Sequence, residues 1–343
     1  MGLQAADIAD MMVHTHHEFD TMKWEDYISD YRETIAFKRL LNEKTEEGTG
    51  DACEFYLQHS HNDSAEFTGI DATDVVTHPN VFTKGSVPWR YGRYSWAVSH
   101  PLVAMNGTPN KILDYMKSQY VAGLASWILL CEQKMWRCPA SGSDDPYGIP
   151  YWIVKNNTEG FNGGAPSGYT TVGGISPTEY TKWKNYTAQY TDLTRDDFIR
   201  KLRRAAEMTK FIKIVEDIPD HSLSKNMLYA GYDVIQALEE ILEGNNDNLG
   251  NDIAPKDGKV VFRGMVFNRA VELEADTTDP VYMIPWGKFA AKKLKGMFNR
   301  STKIAEVPGQ HLMSAEFRDF FFNTICYSRR HCAVLAKDTT MPA

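Results

Sequence analysis

The sequence predicts an α+β fold, and three observations carry that expectation. One segment near residue 120 holds apolar side chains at helical spacing for about seven turns. Runs that alternate apolar and polar residues, the mark of strands, stand on both sides of it. The composition is that of a folded globular chain: of 343 residues, 43% are hydrophobic and 24% charged, close to the usual balance.

Residues 1–41 read as an arm with helical pieces, since Trp24, Tyr27, Ile28, Tyr31, Ile35 and Leu40 recur at near-helical spacing. The polar stretch EKTEEGTGD then breaks the pattern. In ACEFYLQHSH, Cys53, Phe55 and Leu57 alternate with Glu54, Tyr56 and Gln58, which predicts a strand. A polar stretch and GSVPW (85–89) lead to RYSWAVS (93–99), the second strand candidate. Two strands joined by a long loop make an extended hairpin, which needs another surface to be stable in water. Thr108-Pro109 opens a helix, Thr as its N-cap and Pro in the first turn. Ile112, Met116, Tyr120, Leu124, Trp127, Cys131 and Met135 follow on one face, and Cys138-Pro139 ends it. At 1.5 Å per residue the helix is about 42 Å long, the length of a spine. Thr194-Arg195-Asp196-Asp197 is a capping box opening a helix with Phe198, Leu202, Ala205 and Met208 on one face. A third helix covers 231–243 and ends at Gly244. VVFRGMVF, VELEAD and PVYMIPW read as strands between 259 and 289, and FRDFFFNTICYSRRHCAVLA as a long β-rich run.

A net charge of −8 opposes general attraction to nucleic acid or to anionic membranes. No apolar stretch reaches the length of a membrane-spanning helix, and the first residues predict no secretory signal. The five cysteines (Cys53, Cys131, Cys138, Cys326, Cys332) are odd in number and show no CxxC, so free thiols in a reducing setting are expected. Five of the ten histidines cluster, His14, His16 and His17 in VHTHHEFD and His59 and His61 in QHSHND. Imidazole suits zinc, and a zinc-dependent hydrolase would use His14, His16, His59 and His61. A metal site needs three or four convergent ligands, however, and HExxH is absent, so polar contact surface and no metal are expected. The basic run Arg200–Arg204 reads as a solvated helix face, with Asp196 and Asp197 four residues before Arg200 and Lys201. Neither a Gly-rich phosphate loop after a clear strand nor a nucleophile elbow stands out. The chain is expected to carry no cofactor and no catalytic residue.

The most informative stretch is VGGISPTEYTKWKNYTAQY, residues 172–190. Gly173-Gly174 supplies a bend, Ser176-Pro177 a turn, and Trp183-Lys184-Asn185 an aromatic anchor in polar surroundings. This segment resembles the GGI…WxN segment of tailed-phage major capsid proteins, the Hong Kong 97-type fold, and the order of elements agrees over nearly the whole chain. The resemblance implies an N-terminal arm (1–41), an extended hairpin or E-loop (42–98), a peripheral domain with its spine helix (99–144), an axial domain (145–275) and peripheral return strands (276–343). It implies a virion structural protein, not an enzyme, whose copies form hexamers and pentamers and close into an icosahedral shell around double-stranded DNA. The expected partners are other copies, a separate scaffolding protein, a portal and a decoration protein, with assembly in the host cytoplasm and no membrane. Subunit-interface candidates are Trp24, Tyr27 and Tyr31 in the arm, Trp89, Arg90 and Arg93 near the hairpin base, and Trp183 and Asn185 in the axial segment. Histidines at such contacts would tune assembly by protonation. An encapsulin-like nanocompartment shares the fold, with a hairpin that is usually shorter and without the GGI…WKN pattern.

Overall fold

The computed structural model describes residues 35–43, 45–61, 67, 80–101, 109–211, 226–244, 260–302 and 305–338. The α+β expectation holds. Helix α1 (Ile35–Glu43) leads into a short strand β1 (Thr45–Gly48). Strands β2 (Ala52–Gln58) and β3 (Phe82–Pro88) pair antiparallel from Ala52↔Pro88 to Gln58↔Phe82. The hairpin exists, but its returning strand is Phe82–Pro88 and not RYSWAVS. That segment belongs to β4 (Arg90–Ser99), which pairs with the long strand β13 (Gln310–Cys326) from Arg90↔Phe322 to Ser99↔Met313. The physical reason lies in what each strand buries. Tyr94, Trp96 and Val98 of β4 are buried and need a broad apolar surface, whereas the hairpin turns in only Cys53, Phe55, Gly85 and Val87.

That surface is helix α2 (Pro109–Met135), whose 27 residues span about 40 Å. Met116, Trp127, Cys131 and Met135 are buried, and Tyr120 and Leu124 pack at the margin, as the spacing predicts. The side chain of Ile112 lies outside the described residues. Trp127 stacks on Phe320 of β13 at 4.8 Å between ring centroids. Gly92 on β4 permits this closeness, because a Cβ there would stand 1.9 Å from the Trp127 ring. Strand β13 pairs along one edge with β11 (Phe289–Ser301) and β12 (Ala305–Val307), and along the other with β4; β1 adds to β11 in parallel.

The second sheet has the order β5 (Gly160–Gly163), β6 (Asn185–Tyr190), β14 (Ala333–Lys337), β10 (Val281–Pro285), β7 (Asn226–Ala230), β9 (Met265–Arg269), β8 (Val261–Phe262). Its strands come from both sides of residue 275. Tyr229, Tyr282, Ile284 and Val334 face the core shared with α2 and the hairpin. Leu228, Val281, Met283 and Leu335 face a second core under α3 (Arg200–Met208) and α4 (Tyr232–Gly244). Burial on both faces is why PVYMIPW is continuously apolar.

Two further expectations need correction, and one strand was not foreseen. VELEAD is no strand: Val271–Leu273 is a 3-10 turn, closed by Leu273 N–H to Ala270 O at 3.0 Å and Glu274 N–H to Val271 O at 3.1 Å. Met208 is exposed, since it ends α3, while Phe198, Leu202 and Ala205 are buried. Strand β11, 13 residues long, was not foreseen. Half of the expected capping box is present, the Thr194 hydroxyl accepting from Asp197 N–H at 3.4 Å, while the Asp197 carboxylate accepts from Thr191 N–H at 2.7 Å and Asp192 N–H at 3.2 Å. A wider turn, Arg195–Ile199, precedes the regular helix.

Candidate functional site

The segment 172–185, the hairpin and the link between β13 and β14 meet at one place. Val172 and Ile175 exchange backbone hydrogen bonds of 2.9 and 3.2 Å. Between them Gly173 and Gly174 both adopt positive φ, 61° and 78°, the geometry of a type I′ turn that glycine accepts without strain. The turn lies under the hairpin, and Ser86 N–H donates to Gly173 O at 2.9 Å. A Cβ on Gly173 would stand 2.9 Å from Trp152 and 3.0 Å from Phe55. From β2, Phe55 reaches down among Trp152, Trp183 and Tyr327, with ring centroids 6.2–6.3 Å away. The hairpin is thus held by an aromatic plug and a glycine turn.

Beneath that plug lies Arg329, which is completely buried. Its Nε donates to Trp152 O at 2.6 Å, Nη1 to Trp183 O at 2.7 Å, and Nη2 to Gly164 O at 2.7 Å, Gly163 O at 3.2 Å and Asn185 Oδ1 at 3.1 Å. All five acceptors are neutral, so burial pulls the guanidinium pKa down to about 10; the group stays charged at neutral pH. Asn185 uses its full bonding capacity. Its Oδ1 accepts from Val154 N–H at 3.1 Å and from Arg329, and its Nδ2 donates to Val154 O and Tyr186 O at 3.0 and 3.2 Å. Trp183 Nε1 donates to Val172 O at 3.0 Å, which closes the link back to the glycine turn.

The hairpin base has a second fastening. In the parallel pairing of β1 with β11, Glu46 lies opposite Lys292 and Glu47 opposite Lys293, each pair 3.6 Å apart. Tyr327 donates to Glu46 Oε2 at 2.5 Å, and Lys292 Nζ to Glu54 O at 2.7 Å. Trp89 Nε1 donates to Gly50 O at 2.8 Å. These contacts are partly solvated, so they set direction more than stability.

The candidates from the sequence fall into distinct positions. Trp89 spans the hairpin base as described. Arg90 is half-buried, 3.4 Å from Asp144 and over the Tyr147 ring at 5.6 Å. Arg93 is exposed and stands opposite Asp319 of β13. Trp183 and Asn185 are buried within their own chain, and Trp183 also lines a cleft beside the hairpin. Trp24, Tyr27 and Tyr31 lie outside the described residues, as do His14, His16 and His17. His59 packs edge-on against Tyr180 at 5.0 Å. Among the described residues no three His, Cys, Asp or Glu side chains converge, and no helix is long and apolar enough to cross a membrane. The described cysteines are free, and burial pushes the Cys53 thiol up to about 12. In the basic run, Lys201 pairs with Asp197 and Arg204 with Glu159.

Sequence reasoning missed Arg329. In SRRHC it lies within the run read as β-rich, and no local pattern announces five carbonyls converging from three distant segments. It also missed Glu132, buried on α2, which accepts from Ala36 N–H at 3.0 Å, Phe37 N–H at 2.8 Å and Trp136 Nε1 at 2.8 Å. Glu132 thereby caps α1.

No protein-family model and no curated protein sequence matches the chain. Solved structures match over nearly the full length of both partners. The capsid asymmetric unit of cyanophage A-1(L) is 13% identical, with a TM-score of 0.62, covering 96% of this chain and 99% of that one. The capsid of a native GTA particle is 9% identical, with a TM-score of 0.60, covering 94% and 96%. The holo-SrpI encapsulin of Synechococcus elongatus is 10% identical, with a TM-score of 0.52, covering 96% and 97%. The chain therefore has the fold of phage capsid subunits, and the resemblance read from GGI…WKN and the element order extends to three dimensions.

Proposed function

We propose that this chain is the major capsid protein of a tailed phage. Its copies form hexamers and pentamers that close into an icosahedral shell around double-stranded DNA, with assembly in the host cytoplasm beside a separate scaffolding protein, a portal and a decoration protein. The observation that carries this reading is the match along almost the whole chain to the cyanophage capsid subunit. The work is interface burial repeated with symmetry, not chemistry. In this reading α2 is the spine of the peripheral domain, the second sheet belongs mainly to the axial domain, and the hairpin crosses onto the next subunit. Trp24, Tyr27 and Tyr31 dock the arm on a neighbour, and exposed Arg93 lies at a subunit contact near the hairpin base. A net charge of −8 suits a wall that contains DNA without gripping its phosphates.

The test is negative-stain electron microscopy of the chain expressed with its scaffolding partner, with particle masses measured on the same sample. Closed shells, tubes or six-fold rings are expected. Small oligomers alone under assembly conditions would overturn the reading. An encapsulin-like compartment is the second reading, favoured by the encapsulin match. Particle contents separate the two: packaged DNA belongs to the capsid, a protein cargo to the compartment.

A further inference from the structure

Two thiols flank the turn that carries Arg329. Cys326 ends β13, Cys332 directly precedes β14, and both are completely buried. The two strands lie in different sheets, and the link 327–331 doubles the chain back between them. Arg329–His331 forms a 3-10 turn, Cys332 N–H donates to Arg329 O at 3.0 Å, and the Cys332 thiol donates to Ser328 O at 3.5 Å. The turn sets the sulfurs side by side, so that the Cys326 and Cys332 thiols share a hydrogen bond.

The charge beside them bears on their chemistry. The five acceptors of Arg329 are all neutral, and its guanidinium lies in the field of both sulfurs. The thiolate is the reacting form of cysteine; burial opposes it and a neighbouring cation favours it. Burial holds the Cys332 thiol well above its usual range, while the Arg329 charge pulls it back. Reaction is therefore slow and passes through the small fraction of thiolate that the guanidinium supports. A cleft of about 580 Å³ beside the hairpin is lined by Tyr327, Ser328, Arg329 and Arg330, so solvent reaches the residues between the two sulfurs.

We propose that Cys326 and Cys332 are an oxidative modification site, where a peroxide joins them in a disulfide that ties the end of β13 to the start of β14 around Arg329. The thiolate of one cysteine attacks a peroxide oxygen; the O–O bond breaks, hydroxide leaves and is protonated to water, and the sulfur becomes a sulfenic acid. The second sulfur attacks the first; the S–S bond forms, the S–O bond breaks, and a second water leaves with the thiol proton. The two cysteines lose two electrons and one peroxide takes them. The occasion for the reaction rests on the shell reading: chains made in a reducing cytoplasm keep their thiols, and a particle released from the cell meets oxidants. The bond then fastens the turn beneath the aromatic plug after assembly is complete.

Hydrogen peroxide added to the folded, unassembled chain tests it. Trypsin cuts after Arg329 and Arg330, between the two cysteines, so the disulfide shows in a non-reducing mass spectrum as DFFFNTICYSR joined to HCAVLAK, two hydrogens lighter than the separate peptides. The joined pair is expected from wild type and from neither Cys326→Ala nor Cys332→Ala, each first shown to melt cooperatively when reduced. Oxidised wild type is expected to melt about 3 °C above reduced wild type, since closing so short a loop constrains the unfolded chain only modestly, and added reductant is expected to remove the difference. Thiols that stay free in the folded chain, cysteines carried singly to sulfinic acid, or a joined pair that forms only in urea would overturn the proposal. A joined pair without a rise in melting temperature would overturn it as well. The measurement needs no particles, so chains that never form shells would remove the shell reading and not the disulfide.

Discussion

Arg329 decides how the hairpin meets the body of the subunit. It is a buried charge with no carboxylate, held by five neutral acceptors. Lysine in its place offers three donors from a single point and cannot span them. Arg329→Lys is expected to lower stability by about 3–5 kcal/mol, read as a lower melting temperature of the unassembled chain, and Arg329→Met by a similar amount through the carbonyls left bare. Asp276 gives a prediction with a pH signature. Burial works against its ionisation, but the Lys155 ammonium and the Thr278 hydroxyl and N–H outweigh burial and hold it below the usual carboxylate range. A carboxyl whose folded-state pKa lies below its unfolded value adds stability above the unfolded value and loses it as pH falls through the folded one. Asp276→Asn is therefore expected to melt below wild type at pH 7, with the gap closing on acidification through the carboxylate range; a gap independent of pH would refute the assignment. Side chains of this kind differ in how openly the sequence displays them. Gly173-Gly174 and Trp183 stand out, because two glycines together and a tryptophan among polar residues each call for a local reason. Arg329 does not, since its reason is assembled from carbonyls of three distant stretches.

Helix α1 shows how one element is fixed by a residue nearly a hundred positions away. Its first N–H groups lack partners within the helix, and the carboxylate of Glu132 takes those of Ala36 and Phe37. Burial raises the Glu132 pKa against the pull of these donors, so the cap is strained toward neutrality and depends on them. Glu132→Gln is expected to cost about 1–3 kcal/mol and to speed amide hydrogen exchange across 36–40 more than elsewhere; uniform exchange would show that Glu132 merely supports the core. The elements legible in the sequence are those with one unambiguous face. Helix α2 repeats its apolar residues every three or four positions, and β10 is apolar throughout because both its faces are covered. VELEAD and β11 mislead for opposite reasons. The first alternates by accident around the single buried Leu273. The second hides its strand pattern because Lys292 and Lys293 serve the acidic edge strand β1, and because Gly296, at φ 74°, lies where the register with β13 shifts between Lys293 and Phe298.

Across the molecule, the two faces of the first sheet are unequal. Its inner face, Tyr94, Trp96, Phe320 and Phe322, is buried beneath α2. The outer face carries Tyr91, Arg93 and Phe317, with Tyr91 packed on Phe321 at 4.7 Å and donating to Asp319 at 2.6 Å. Tyr91 is 46% and Phe317 40% exposed. Alternation along β4 and β13 makes the two-faced sheet readable, but no single chain says what lies on its outer side. A solitary exposed aromatic is ordinary; two on neighbouring strands beside a charged pair have the make-up of an interface core with a polar rim. In the shell reading this face is covered in the assembly, so Phe317→Asp should leave the subunit intact and remove its capacity to join others. The side chain stands on the outer, part-exposed face of the sheet, where the expected loss of folding stability is small, about 0.5 kcal/mol. Burying the new carboxylate at a subunit contact would cost several times more per interface, and a closed shell repeats that cost at every copy. Sedimentation velocity under assembly conditions should then show only unassembled chains beside a melting curve close to wild type. Normal particle yield from Phe317→Asp would mean that the outer face of the sheet stays open to solvent in the shell.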